Sequence, residues 1–281
     1  MSAQAPECFR PNRLFPAAAL ALAASLAASI ATAPAHAGGI FEIIHPEVEE
    51  GKAEFEILNT VILGDVAAGE ERSVHELAFG FGITDDWKAV LAFEIANARG
   101  DAPVVEAIEI GNVFLLYGGH GPEDDHGHGK HDDDKHEGGD HSGFTFGLYA
   151  GAELPTESGA KPSFAFGPIG EAGIGPVTFL GNILIEVPTS SETPGLSYAV
   201  GASVPLGSGF AVGVEAYGGF EELFGQNTPS LAMQEHYAGP AVYAAFETAD
   251  GLTLEPRAAL LFGLTDASAD MALSVNLELK F

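Results

Sequence analysis

Six of the ten histidines in this 281-residue chain fall in one short stretch, residues 118–142. They are His120, His126, His128, His131, His136 and His141, interleaved with Glu123, Asp124, Asp125, Asp132, Asp133, Asp134, Glu137 and Asp140. Lys130 and Lys135 are the only cations among them. Neutral imidazole suits zinc, copper and nickel, and carboxylates add ligands and negative charge. The candidate ligands are therefore His120, His126, His128, His131, Asp132, Asp133, Asp134, His136, Glu137, Asp140 and His141. Glycines run through the stretch and no fixed tetrahedral spacing is present, which points to loose, multi-site capture. A bland reading stays open: a solvated loop that binds metal incidentally. Histidine ionisation near neutral pH would also change the charge of the loop. No cofactor is required by any other motif.

A second set of charged residues recurs at alternate positions within otherwise apolar stretches. The acids are Glu54, Glu76, Glu94, Glu109, Glu153, Glu171, Glu186, Glu215, Glu255 and Glu278; the cations are Lys88, Arg257 and Lys280. Charges facing an interior are costly unless paired or hydrated. Such an acid excess implies a wet lumen that favours cations, or tight networks that plug the interior. The whole chain agrees in sign, with 11 Lys+Arg against 40 Asp+Glu. Without residues 1–37, which hold Glu7, Arg10 and Arg13, the balance is 9 against 39. So acidic a chain repels nucleic acid and anionic solutes.

Strands of period two are the elements that would position these residues. From Met271 to Phe281 the residues Met271, Leu273, Val275, Leu277, Leu279 and Phe281 alternate with Ala272, Ser274, Asn276, Glu278 and Lys280. Strict alternation over about eleven residues gives one greasy and one wet face, at the length a tilted strand needs to cross a bilayer. The ordinary alternative is the edge strand of a soluble sandwich. Eleven further stretches precede it: 52–63, 73–83, 87–97, 105–117, 143–153, 163–172, 177–187, 195–204, 210–221, 233–247 and 252–264. Twelve amphipathic strands of this length, joined by hairpins, predict an all-β fold, a transmembrane antiparallel up-and-down β-barrel. The stretch 163–172 is the poorest, because Pro168 cannot donate to a ladder.

Strand parity predicts short proximal turns at 84–86, 173–176, 206–209 and 248–251, and longer distal loops. With both termini on the periplasmic side, the insert 118–142 becomes the one long periplasmic connection. The domain reading is a signal peptide over 1–37, a periplasmic N-terminal segment over 38–50, and a barrel over 51–281. Arg10 and Arg13, the Ala/Leu-rich run 14–30 and Ala35-His36-Ala37 carry the signal reading. Cys8 precedes that run, so cleavage leaves no thiol.

Enzyme motifs are missing, and the chain reads as a non-enzyme. His75 and Ser73 share a strand near the outer rim, but no third group and no Gly-x-Ser-x-Gly elbow accompany them. Trp87 and Tyr198 are predicted outward at the interface; Tyr117, Tyr149 and Tyr217 are predicted inward.

The signal peptide, the glycine-bounded strands and the final Val275-Asn276-Leu277-Glu278-Leu279-Lys280-Phe281 resemble Gram-negative outer-membrane β-barrel proteins. The hairpin Phe79-Gly80-Phe81-Gly82-Ile83-Thr84-Asp85-Asp86-Trp87 is similar to one in outer-membrane transporters of the phenol-degradation type. The resemblance implies an outer-membrane location, engagement of the barrel-assembly machinery through Phe281, and passage of small molecules. The expectation is a cation-tolerant barrel passing small solutes, linked to divalent Zn, Cu or Ni through the insert. The rival is a closed barrel that merely presents a metal-binding loop. The partners expected are outer-membrane lipid and a small solute or metal ion.

Overall fold

Alternation of apolar and polar side chains becomes, in the computed structural model, a sheet whose apolar side faces out. The structure describes residues 41–63, 72–98, 102–118, 143–190, 193–221, 223, 229–249 and 251–281. The signal reading over 1–37 and the metal-ligand set from His120 to His141 lie outside these residues. The strands are β1 (Ala53–Leu63), β2 (Arg72–Thr84), β3 (Trp87–Ala98), β4 (Val104–Tyr117), β5 (Phe144–Pro155) and β6 (Ser163–Ile174). They continue as β7 (Val177–Pro188), β8 (Gly195–Gly207), β9 (Phe210–Phe220), β10 (His236–Ala244), β11 (Thr253–Gly263) and β12 (Met271–Lys280). Phe246–Glu247 prolongs β10 beyond Ala245 and pairs with the start of β11.

Each strand pairs antiparallel with its sequence neighbours. The ring closes where β1 meets β12, from Glu54↔Lys280 to Leu63↔Met271. The result is a closed twelve-stranded up-and-down barrel, as the alternation predicts. Closure leaves no unpaired edge, the condition lipid imposes on a spanning sheet. Leu77, Phe79, Phe81, Leu91, Phe93, Phe114, Phe164, Phe166, Phe179, Ile183, Val214 and Phe262 are all exposed on the outside. An exposed apolar belt on a closed barrel is a lipid-facing surface, and places the chain in the Gram-negative outer membrane.

Two polar pairings on that outer face are made locally. Trp87 Nε1 donates to Asn112 Oδ1 at 3.0 Å, and Asn112 Nδ2 donates to the Ala150 carbonyl at 3.3 Å. Tyr198 Oη lies 2.9 Å from His236 Nδ1. Trp87 and Tyr198 are thus outward, as expected. Tyr117 corrects its inward expectation: the ladder slips between Leu115 and Tyr117, and the ring swings out against Phe144, with centroids 6.0 Å apart. A bulge shifts every later side chain across the sheet.

Two Gly-Pro pairs mark the interruptions that proline forces. The β6–β7 ladder skips from Phe166↔Ile185 to Ile169↔Asn182, around Gly167-Pro168. The β10–β11 ladder skips from Ala238↔Phe262 to Ala241↔Ala259, around Gly239-Pro240. In both, the partner strand's carbonyl closes onto the glycine: a Cβ would lie 1.9 Å from Ile183 O at Gly167, and 1.9 Å from Leu260 O at Gly239. Gly167→Ala and Gly239→Ala are each expected to destabilise the barrel by about 1–3 kcal/mol. Urea unfolding in lipid vesicles checks this; unshifted midpoints would mean the strands part there without cost.

Candidate functional site

Residues 41–50 do not sit below the barrel. The lead-in segment expected in the periplasm turns at the rim and runs up into the lumen. At the rim, Gly51 N donates to Gly82 O at 2.9 Å and Gly82 N donates to Lys52 O at 2.9 Å. Gly82 is needed there, because a Cβ would stand 1.9 Å from Glu49 O. Above it, Lys280 Nζ donates to Glu47 at 2.7 Å. Burial alone would raise the Glu47 carboxyl, but the Lys280 ammonium outweighs it and holds the group below its ordinary range.

Deeper in, the segment is fixed by its backbone. Ile44 N donates to Asn182 Oδ1 at 2.7 Å, while Asn182 Nδ2 donates back to the Ile44 carbonyl at 2.8 Å. Arg257 donates to the Phe41 carbonyl at 3.1 Å. Apolar side chains leave the segment in two directions. Phe41 and Ile43 join a cluster with Ile62, Tyr217, Tyr237 and Leu261, whereas Ile44 and Val48 pack against Val113, Tyr149 and Ile169. The Phe41 ring lies 5.1 Å from that of Tyr217 and 5.0 Å from that of Tyr237.

The wall around this segment carries the predicted charged residues. Glu54 is buried and accepts from Lys88 Nζ at 2.6 Å. Glu109 accepts from the Tyr149 hydroxyl. Glu215, with its side chain fully enclosed, accepts from Arg257, Tyr217 and Tyr243. Glu255 and Glu278 lie 3.2 Å and 3.5 Å from Lys280 Nζ. Glu76 is buried on the same wall and Glu94 faces it across the β2–β3 pair. Glu153 and Glu186 are exposed near the long-loop end, and Glu171 is half-buried near the short-turn end. Arg257, Lys88 and Lys280 are therefore structural counter-charges, and most of the remaining lumen charge is negative.

Alternation alone does not explain how the acids face one another. The register sets Glu56 opposite Glu278, Glu255 opposite Glu278, Glu76 opposite Glu94, and Glu109 opposite Glu153. Oxygens of Glu54, Glu56 and Glu278 all lie within 4.8 Å of one another. At that separation two ionised carboxylates repel by roughly 3 kcal/mol for an effective dielectric near 20. A wall built this way holds water, protons or cations between its acids. Sequence reasoning missed Glu56, although it lies on the same face as Glu54. It also missed Glu42 and His45, which share a cavity with Glu56, Glu76, Glu109 and Glu278. The signal was present: Phe41-Glu42-Ile43-Ile44-His45-Pro46-Glu47-Val48 is too apolar to be left in water.

On the outer face, His75 Nδ1 lies 2.9 Å from Asn59 Oδ1. Asn59 supplies the third group that the sequence did not reveal. The Ser73 hydroxyl nonetheless has no hydrogen-bond partner and is only 3% exposed, so it is not engaged by His75. The nucleophile–base contact that ester hydrolysis needs is not assembled.

No protein-family model matches the chain, and no curated protein matches it. Among solved structures, the NanC porin is similar over 81% of this chain and 98% of its own, at 10% identity and a TM-score of 0.50. An outer-membrane channel from Pseudomonas putida F1 is similar over 88% of this chain and 99% of its own, at 10% identity and a TM-score of 0.48. The KdgM porin, solved with disordered oligogalacturonate, is similar over 81% and 98%, at 7% identity and a TM-score of 0.45.

Proposed function

We propose that the chain is an outer-membrane channel for small solutes whose lumen tolerates cations and disfavours anions. The supporting observation is the acid-on-acid register of the wall, Glu56–Glu278, Glu76–Glu94 and Glu109–Glu153, against three lumen cations already committed to ion pairs. An excess of carboxylates over counter-charges raises the local concentration of cations and excludes anions. Solute passes by diffusion, and no chemical step is involved. The insert 118–142 joins β4 to β5 at the rim that carries the short turns. There its histidines and aspartates would collect Zn, Cu or Ni on the periplasmic side, with Phe281 engaging the assembly machinery.

The rival reading, a closed scaffold presenting that insert, draws support from residues 41–48 lying in the lumen. Reversal potentials across a planar bilayer under a potassium chloride gradient separate the two. A conduit lined in this way is expected to conduct in discrete steps and reverse toward the potassium equilibrium potential. A chloride-selective reversal, or silence from protein shown to be folded, would sink it.

A further inference from the structure

Beside Glu42 the lumen encloses a cavity of about 40 Å³ lined by Glu42, Glu56, Glu76, Glu109 and Glu278. A single water needs about 10–15 Å³, so the space has room for an ion with one or two waters. Glu42 comes from the lumenal segment; the other four come from β1, β2, β4 and β12. The cations nearby are shared with other acids, and the one cavity carboxylate they reach is Glu278, 3.5 Å from Lys280 Nζ. Lys88 also borders the cavity but holds Glu54 at 2.6 Å, and Lys280 serves Glu47 at 2.7 Å and Glu255 at 3.2 Å. Glu109 has the Tyr149 hydroxyl.

Glu76 has neither kind of partner. It is 8% exposed, borders the cavity, and makes no hydrogen bond or ion pair among the described residues. A carboxylate this enclosed is costly to keep without a counter-charge, and like charges set opposite one another add to the cost. The arrangement is that of a site built for a cation. Five carboxylates line this one cavity, and such a lining suits a hard ion with a variable oxygen shell, which is calcium before magnesium. His45 also borders the cavity, but the oxygen ligands outnumber it five to one and select against softer metals.

We propose that this cavity binds calcium, and that the bound ion ties the lumenal segment to the barrel wall through Glu42. Removing the ion would leave Glu42 facing four wall carboxylates, and the segment would be driven from its seat. The site stands by itself, whereas its effect on flow rests on the channel reading.

The test uses the full chain refolded in detergent, its fold verified by heat-modifiable migration, and titrates calcium chloride into chelator-treated protein by calorimetry. Glu42→Gln lies outside the barrel strands and Glu76→Gln lies within one, so a folding failure of the second leaves the first. Both variants keep the insert and its aspartates. Each is expected to lose one calcium-binding event, or to weaken it by at least about tenfold. Calcium binding unchanged in both variants, or no binding beyond that of the insert, would overturn the site. In a planar bilayer, chelator should raise the conductance of the native protein and leave Glu42→Gln unchanged. A conducting native protein indifferent to chelator would overturn the tie to the segment. A silent bilayer beside an intact calorimetric difference would support the site and sink the channel reading alone.

Discussion

Arg257→Ala is expected to destabilise the barrel by roughly 3–5 kcal/mol. Arg257 Nε and its second guanidinium nitrogen both meet the Glu215 carboxylate, and a third contact reaches the Phe41 carbonyl at 3.1 Å. The Glu215 side chain has no exposure at all, so it has no water to turn to. Tyr217 and Tyr243 would go on donating to it at 2.8 and 2.6 Å, but they bring no charge. Glu215→Gln in the same background should recover part of the loss, because it removes the stranded charge. Arg257→Lys should fall between the two: it keeps the charge but not the planar fork that reaches both oxygens. Urea unfolding in vesicles reads all three. If alanine is no worse than lysine, the pair is incidental and the wall is held by its backbone ladder.

The same network shows where the sequence is informative and where it is not. Period-two alternation locates all twelve strands because lipid and lumen impose opposite chemistry on successive residues. Phe79 and Phe81 go out and Glu76 goes in, as read directly from their order. Alternation also gives the facing of Glu215 and Arg257, but not that they meet. That contact depends on register across the intervening β10, where Glu215 lies opposite Gly239 and Arg257 lies opposite Tyr243. Tyr117 fails for a local reason, since a one-residue slip reverses its side and leaves no mark in hydropathy. The segment 41–50 fails for another. It is neither strand nor helix, so no periodicity reports it, and only its apolar content argues against a free tail. Its partners Asn182 and Arg257 stand 138 and 216 residues away from Ile44 and Phe41.

Deleting residues 41–48 is expected to raise single-channel conductance several-fold while leaving the barrel folded. The strands do not need the segment for their ladder: β1 begins at Ala53 and pairs on both sides without it. What the segment supplies within the lumen is bulk and two further acids, Glu42 and Glu47. Phe41 is 6% exposed between Tyr217 and Tyr237, so its removal vacates the space between those two rings. Phe41→Ala alone should loosen the seat, at a cost of about 3–5 kcal/mol for a buried phenyl ring if the cavity does not collapse. Its expected signature is flickering between two conductance levels, against steady high conductance for the deletion. Selectivity is the second readout. The deletion removes Glu42 and Glu47 but leaves the wall carboxylates, so the open channel should remain cation-selective. A deletion variant that migrates as folded yet conducts no better than the full chain would show that the constriction lies elsewhere, and would favour the closed scaffold. Increased conductance with lost selectivity would instead assign the filter to the segment's own acids and not to the wall.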